Sequence, residues 1–476
     1  MKYYLLLLFL LSSVLVFAQK TKQDVMKSID AGYDQYTQVA NKIWEYAEVG
    51  YQETKSSALL QETLSQAGFK IEKGVAGMPT AFIASYGTGK PVIGILGEYD
   101  ALPGVSQDAV PELKKVEGRP AGHACGHHLF GTASAAAAIA VKDWLIANKK
   151  GGTIRFYGTP AEEGGSGKVY MVREGLFKDV DVVFHWHPGA QNNASAGSSL
   201  ANKTGKFRFY GIASHAAAAP DRGRSALDGV EAMNDMVNMM REHVTQESRI
   251  HYVITRGGEA PNVVPAFAEV YYYARHPSRA VVKDMWERLT RAAQGAALGT
   301  DTKVEWEITG GVYDLLPNEA LARVVDANLR AVGGYTYREG EKDFATKIQK
   351  TVTTETPNLT TTNTIGEFKV SPSGVGFGST DVGDVSWVVP TAGLSTATWV
   401  PGTAAHSWQA VAAGGTSIGY KGMMMAAKTL ALSMMDVYTN PTLIDNAWKE
   451  FRGRTGENFK YEALIGDRPP ALDYRK

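Results

Sequence analysis

Pro91-Val92-Ile93-Gly94-Ile95-Leu96 runs directly into Gly97-Glu98-Tyr99-Asp100-Ala101-Leu102-Pro103. The first half is nearly all apolar, which predicts a buried strand rather than one with a wet face. The second half sets carboxylates just past its end. Working outward, residues 81–86 read as a strand before it, and residues 153–157 and 180–185 as strands after it. Residues 131–148 read as a helix whose run of alanines offers a small face for close packing. Residues 23–69 carry apolar positions at helical spacing, with Gly68 where a C-cap would stand. Strands alternating with helices predict an α/β fold, a mostly parallel sheet flanked by helices.

The texture changes near residue 201. Residues 206–210, 251–255 and 269–275 read as strands, and residues 225–243 and 279–298 as helices. The string Glu-Val-Tyr-Tyr-Tyr-Ala-Arg ending at Arg275 suits a sheet with one half-wet face. Strand-helix-strand-strand-helix-strand order predicts a small α+β, ferredoxin-like domain inserted in the larger one. A chain of 476 residues is too long for one ordinary core, in keeping with two domains. The expected division is 19–202 with 319–476 for the large domain and 203–318 for the insert. The large domain is expected to close with a helix over residues 410–437. The threonine-rich stretch 351–364 reads as a surface loop or a poor strand.

Lys+Arg and Asp+Glu are both 49, so no basic excess favours nucleic acid. A small molecule or short peptide is the expected partner. Lys2 precedes a charge-free, leucine-rich run to Ala18, closing Val16-Phe17-Ala18 before Gln19. This pattern predicts a signal peptide over 1–18 and a secreted or periplasmic protein, with no membrane attachment once it is removed. A membrane anchor is the alternative, but the run is short of the ~20 residues a bilayer requires. Cys125 is the sole cysteine, so no internal disulfide forms, and an exported lone thiol calls for another use such as metal ligation.

Three of the ten histidines flank that cysteine, in Gly122-His123-Ala124-Cys125-Gly126-His127-His128. Thiolate and imidazole are preferred ligands of zinc and its neighbours, and Cys-Gly-His puts two of them on one tight turn. The bland alternative is a buried, inert cysteine beside unrelated histidines. Glu162-Glu163 follows the strand at 153–157, where open α/β sheets place ligands. One carboxylate there suits metal and the other a general base, unless the pair is merely solvated. His185-Trp186-His187 sends both rings to one side of an extended segment, which suits two ligands or a ligand with a supporting histidine. His406 alone reads more readily as a packed or surface histidine. Glu98 or Asp100 could orient a ligating histidine or cap a turn.

Taken together, these strings resemble the zinc aminoacylase and carboxypeptidase family of amidohydrolases, which includes acetylornithine deacetylase. Within it they look most like the aminobenzoyl-glutamate hydrolase branch. The carrying strings are Gly97–Pro103, the Gly-His-Ala-Cys-Gly-His run at 122–127, Pro160–Lys168, and Trp186-His187-Pro188. They continue through Ala213–Ala217, Gly223–Asp228, Ala260–Pro265 and Gly378–Ser386. The resemblance implies metal ligation by Cys125, His127, Glu163, His187 and His406, with Glu162 as base and then acid. It implies that Asp100 orients His127, that His215 reaches a partner's site to stabilise an oxyanion, and that Asn262 and Arg275 lie near a substrate carboxylate. It further implies two divalent ions per chain (zinc or manganese, with cobalt also suited), a homodimer formed by the insert, and hydrolysis of an N-acyl amino acid. A dipeptidase or carboxypeptidase on the same scaffold is the near alternative, and a non-catalytic metal-binding protein the distant one. The chain departs from the family at His128, where an Asp is usual, so His128 is either an extra ligand or a supporting group.

Overall fold

In a computed structural model of the chain, which describes residues 20–371 and 378–475, every residue of the strand Val92–Gly97 is buried. The leader expected at residues 1–18 lies outside the described residues. Val92–Gly97 pairs in parallel with Gly152–Gly158 on one side and Val182–Gly189 on the other. Thr391–Ala397 extends the parallel run beyond Val182–Gly189. Phe82–Thr88 joins Gly152–Gly158 antiparallel, and Lys70–Lys73 joins Phe82–Thr88 antiparallel, completing six strands. The sheet is therefore mixed but mostly parallel, and helices flank it, as the apolar run at its centre predicts.

The helical stretch at 23–69 resolves into three helices, Lys22–Ala31, Tyr33–Tyr46 and Thr54–Gln66. Gly32 separates the first two. Gly68, at φ +91°, closes the third, with Phe69 N–H donating back to the Leu64 carbonyl. The alanine-rich helix begins earlier than its periodicity suggests, at His127 rather than residue 131, and runs to Ala147. Gly126 stands before it at φ +76°, and a Cβ there would lie 2.6 Å from Pro188 Cβ. A Cβ on Gly131 would lie 2.7 Å from the Glu98 carbonyl, so this helix is held tight against the end of the central strand. The helix expected over 410–437 is two, Trp408–Gly414 and Ser417–Thr439, because Gly415 intervenes and Thr416 caps the second. Residues 351–364 are mostly loop, with one short turn of 3₁₀ helix at Leu359–Asn363.

A second sheet of four antiparallel strands runs in the order Arg249–Arg256, Phe267–His276, Ala201–Tyr210, Lys303–Val312. With the helices Ala226–Met240 and Arg279–Gly299 packed on it, this is the ferredoxin-like arrangement. Along Phe267–His276 the buried positions Val270, Tyr272 and Ala274 alternate with half-buried Tyr271, Tyr273 and Arg275. The first set joins Phe207, Met285 and Trp286 in the insert's core.

The two bodies are stitched at Asp384, in the short helix Val382–Ser386. Its carboxylate accepts the Tyr313 N–H at 2.9 Å, just past the insert's last strand, and the Tyr461 hydroxyl at 2.6 Å. Burial, opposed by the Tyr461 bond, pushes its carboxyl up to about 7. An unfolded aspartate titrates near ~3.9, so between about pH 4 and about pH 7 the native chain holds one more proton than the unfolded chain. This group's contribution to stability therefore falls as pH rises through that window. Asp384→Asn keeps an acceptor for Tyr313 and removes the titration. Thermal melts at about pH 4.5 and about pH 7.5 check this: the variant should show the smaller loss of Tm between the two.

Candidate metal centre and active site

Four parallel strands deliver the chemistry at their carboxyl ends, the usual place for ligands in such sheets. Val92–Gly97 leads into Glu98 and Asp100, and Gly152–Gly158 leads into Glu162 and Glu163. Val182–Gly189 carries His185 and His187, and the segment after Thr391–Ala397 carries His406. Cys125 and His127 reach the same point from the start of the long helix. The His406 N–H donates to the Ala124 carbonyl at 3.0 Å, tying the last segment to the cysteine turn.

The donor atoms form overlapping groups, each within 4.8 Å: Cys125 with His127 and His187, Cys125 with Glu163 and His406, and His127 with Glu162 and Glu163. His127 Nδ1 lies 2.9 Å from Asp100 Oδ1. With Nδ1–H donating there, Nε2 keeps its lone pair for the cluster. Likewise His187 Nδ1 donates to the Pro188 carbonyl at 2.7 Å and presents Nε2 to Cys125 Sγ at 3.3 Å. Asp100 also accepts the Glu163 N–H at 2.9 Å, so one carboxylate fixes both an imidazole and the glutamate loop.

That loop is strained, with Ala161 and Ser166 at φ +57° and +59°. Glu53 braces it, accepting the Ala161 N–H at 2.9 Å and the Thr80 hydroxyl at 2.9 Å. Burial and the nearby Asp100 push the Glu53 carboxyl up to about 8.

The centre fits divalent cations on three counts. Its thiolate and imidazoles are donors zinc takes, and its carboxylates suit manganese as well. Among the described residues the buried atoms His127 Nε2, Glu98 Oε2 and Glu163 Oε1 make no well-aligned hydrogen bond, though His127 Nε2 faces Glu98 Oε2 at 3.1 Å and His406 Nε2 faces Glu163 Oε1 at 3.2 Å, a state that buried polar groups rarely tolerate. Burial also pushes the Cys125 thiol up, so a thiolate there needs a cation beside it. The half-buried Glu162 carboxyl is raised by desolvation and then by Glu163, which suits it to carry a proton.

Under the donors lies a fully buried network that the sequence does not assign. Lys168 Nζ sits 2.6 Å from Glu98 Oε1 and 2.6 Å from Asp381 Oδ1. The other oxygen of Asp381 accepts the Lys168 N–H at 2.9 Å. Glu98 Oε2 lies 3.1 Å from His127 Nε2. Burial opposes charge on Glu98, but the Lys168 ammonium beside it outweighs that and holds its carboxyl below the usual range.

His128 faces away from the donors, with Nε2 3.0 Å from the Gly414 carbonyl, beside His123, whose Nε2 lies 3.0 Å from the Ile43 carbonyl. Burial lowers both imidazoles, His123 to about 3, so they are neutral packing groups rather than ligands. Burial likewise lowers His185, to about 4.

Cys125, Glu162, Glu163, His187 and His406 line one wall of a cavity of about 650 Å³. Tyr273 and Arg275, from the half-wet face of the insert's sheet, line it too, as does Arg475 from the end of the chain. His215 and Asn262 are not among its lining residues; both are exposed on the insert, where a strand bridge joins His215 to Val263.

Residues 94–406 match Peptidase family M20/M25/M40. The chain is 42% identical over 447 residues to one of the subunits of the p-aminobenzoyl-glutamate hydrolase of Escherichia coli (strain K12), covering 89% of this chain and 93% of that protein. It is 29% identical over 452 residues to the Xaa-Arg dipeptidase of Mus musculus, covering 92% and 93%. Its fold is similar to that of a dinuclear metal-binding peptidase of family M20 from Bacillus subtilis, with a TM-score of 0.58 at 16% identity, over 86% of this chain and 99% of that one.

Lys168→Met would leave Glu98 and Asp381 as uncompensated buried charges. Removing one partner of such a network typically costs ~3–5 kcal/mol. Urea denaturation should show a loss of that order, whereas a loss below ~1 kcal/mol would mean that the network carries little charge.

Proposed function

Because the chain belongs to peptidase family M20/M25/M40 and is an amide-bond hydrolase, we propose that it cleaves N-acyl amino acids using two divalent cations and Glu162. The observation that carries this reading is that Glu162 and Glu163 are neighbours at a strand end, both line the cavity, and both share one donor group with the buried His127. Cys125, His127, Glu163, His187 and His406 would hold zinc or manganese, with cobalt also suited. When bound, the cations supply Lewis acidity and make a water easier to deprotonate.

Glu162 takes a proton from a water in the cavity. The water's oxygen adds to the amide carbonyl carbon, and as the C–N bond breaks Glu162 passes the proton to the departing amine. Asp100 keeps His127 in the tautomer that leaves Nε2 free. Arg275 serves the substrate carboxylate.

The insert acts as a dimerisation domain in this reading, and the chain is a homodimer. His215 Nδ1 accepts the Ala217 and Ala218 N–H groups at 3.2 and 3.0 Å. Its proton is therefore on Nε2, the state an oxyanion donor in a second copy's site requires. The exposed edge strand Arg249–Arg256, with Val253 55% exposed, and the exposed Ile212 and Val263 of the same insert suit such an interface. The leucine-rich run before Gln19 supports export to the periplasm or medium.

A dipeptidase acting on the same chemistry is the second reading, favoured by the likeness to the mouse enzyme. Glu162→Gln should bind metal like the wild type and lose ~10²- to 10⁴-fold in kcat against p-aminobenzoyl-glutamate. A near-wild-type rate would end the assignment. Native mass spectrometry of the same samples should give two copies of a chain beginning at Gln19.

A further inference from the structure

The last residues of the chain return to the active-site cavity. Arg173 Nη1 donates to the Gly466 and Arg468 carbonyls at 2.9 and 2.8 Å. The Arg468 side chain donates to the Ile308 carbonyl on the insert's last strand. Gln52 Nε2 donates to the Leu472 carbonyl at 2.8 Å. Tyr474 then packs edge-on to Tyr51 at 5.6 Å, above Gly165. Its hydroxyl and Arg475 Nη2 both donate to the Glu163 carbonyl, at 3.0 and 2.8 Å. The segment is thus fastened to both domains before its final arginine enters the cavity.

That arginine does not stand alone. Arg275 lines the same cavity, and among the described residues its buried Nε has no hydrogen-bond partner. Burial and Tyr271 raise the Tyr273 phenol, and the guanidinium charges of Arg275 and then Arg475 both act against that rise. The two cations are therefore within electrostatic reach of one hydroxyl. The α-carboxylate of an N-acyl amino acid occupies one guanidinium; a second guanidinium on the wall of the same cavity calls for a second anion.

We propose that Arg475 is a specificity-determining residue, which with Arg275 selects N-acyl amino acids that carry a second carboxylate, of the glutamate or aspartate kind. The proposal rests on the amidohydrolase reading above. Arg475 carries five donors and directs one to the Glu163 carbonyl, so its planar guanidinium can still present a fork to a carboxylate.

The test uses the full metal-supplemented chain and two substrates, p-aminobenzoyl-L-glutamate and p-aminobenzoyl-L-glutamine, which differ only in the second charge. In Arg475→Gln the ratio of kcat/KM between them should fall roughly 10- to 100-fold, through KM for the glutamate compound, and Arg475→Lys should recover part of it. An equal loss on both substrates, or an unchanged ratio, would overturn the proposal and leave the tail as a brace for Glu163. A binding arm separates this from the reaction itself. Glutarate should protect the wild-type chain from thermal unfolding more than butyrate does, and Arg475→Gln should abolish the difference. If the wild type cleaves neither substrate, the amidohydrolase reading falls while the glutarate arm still decides: equal protection by both acids, or a difference retained in the variant, overturns the role of Arg475.

Discussion

Crowded negative charge in a dry place is the constraint on which this structure turns. Glu98, Asp100 and Asp381 are buried around His127, with Glu162 and Glu163 half-buried beside them and Lys168 buried in their midst. Isolated carboxylates at such depth would cost far more than a domain's net stability. Most of the buried oxygens are therefore answered in turn. Lys168 Nζ bridges Glu98 and Asp381, His127 Nδ1–H answers Asp100, and the backbone N–H groups of Glu163 and Lys168 answer Asp100 and Asp381. The oxygens left over, on Glu98 and Glu163, sit beside the free nitrogens of His127 and His406, where a cation would complete the balance.

The fold can be understood as the means of holding that arrangement. Parallel strands bring four chain segments to one edge, and small residues let the long helix approach close enough for His127 to face them. The strained glutamate loop is held down from beneath by Glu53 and from the side by the chain's last residues. The insert contributes little to the charge balance. Its half-wet sheet face brings Tyr273 and Arg275 to the same cavity that the large domain lines with its donors and with Arg475.

Much of this was legible in the sequence because the signals are local. A wholly apolar run announces a buried strand, and a lone cysteine between histidines announces its chemistry. The parallel sheet followed from the first, whereas the full donor set, His406 included, came from the family resemblance, and the structure brings those donor atoms into groups within 4.8 Å. The beginning of the long helix was less legible, since paired histidines read as loop rather than as a first turn. Once His127 and His128 are helical, successive side chains diverge by about 100°, which sends one to the donors and the other to Gly414. Lys168 lies in a recognisable string, yet a lysine after Gly-Ser-Gly reads as a surface charge; only packing reveals its burial. Glu53 and Arg475 carry no local signal, because each reaches the site from over a hundred residues away in sequence. His215 and Asn262 sit exposed and are not among the residues lining the cavity.

The central claim is that these donors exist to hold catalytic divalent ions. Elemental analysis of the purified chain, paired with cleavage of p-aminobenzoyl-glutamate before and after a chelator, tests it most directly. The account predicts about two zinc or manganese ions per chain, with activity lost on chelation and restored by adding either metal back. Cleavage that persists in a metal-free chain, or a chain that takes up no metal when supplied with both, would contradict it.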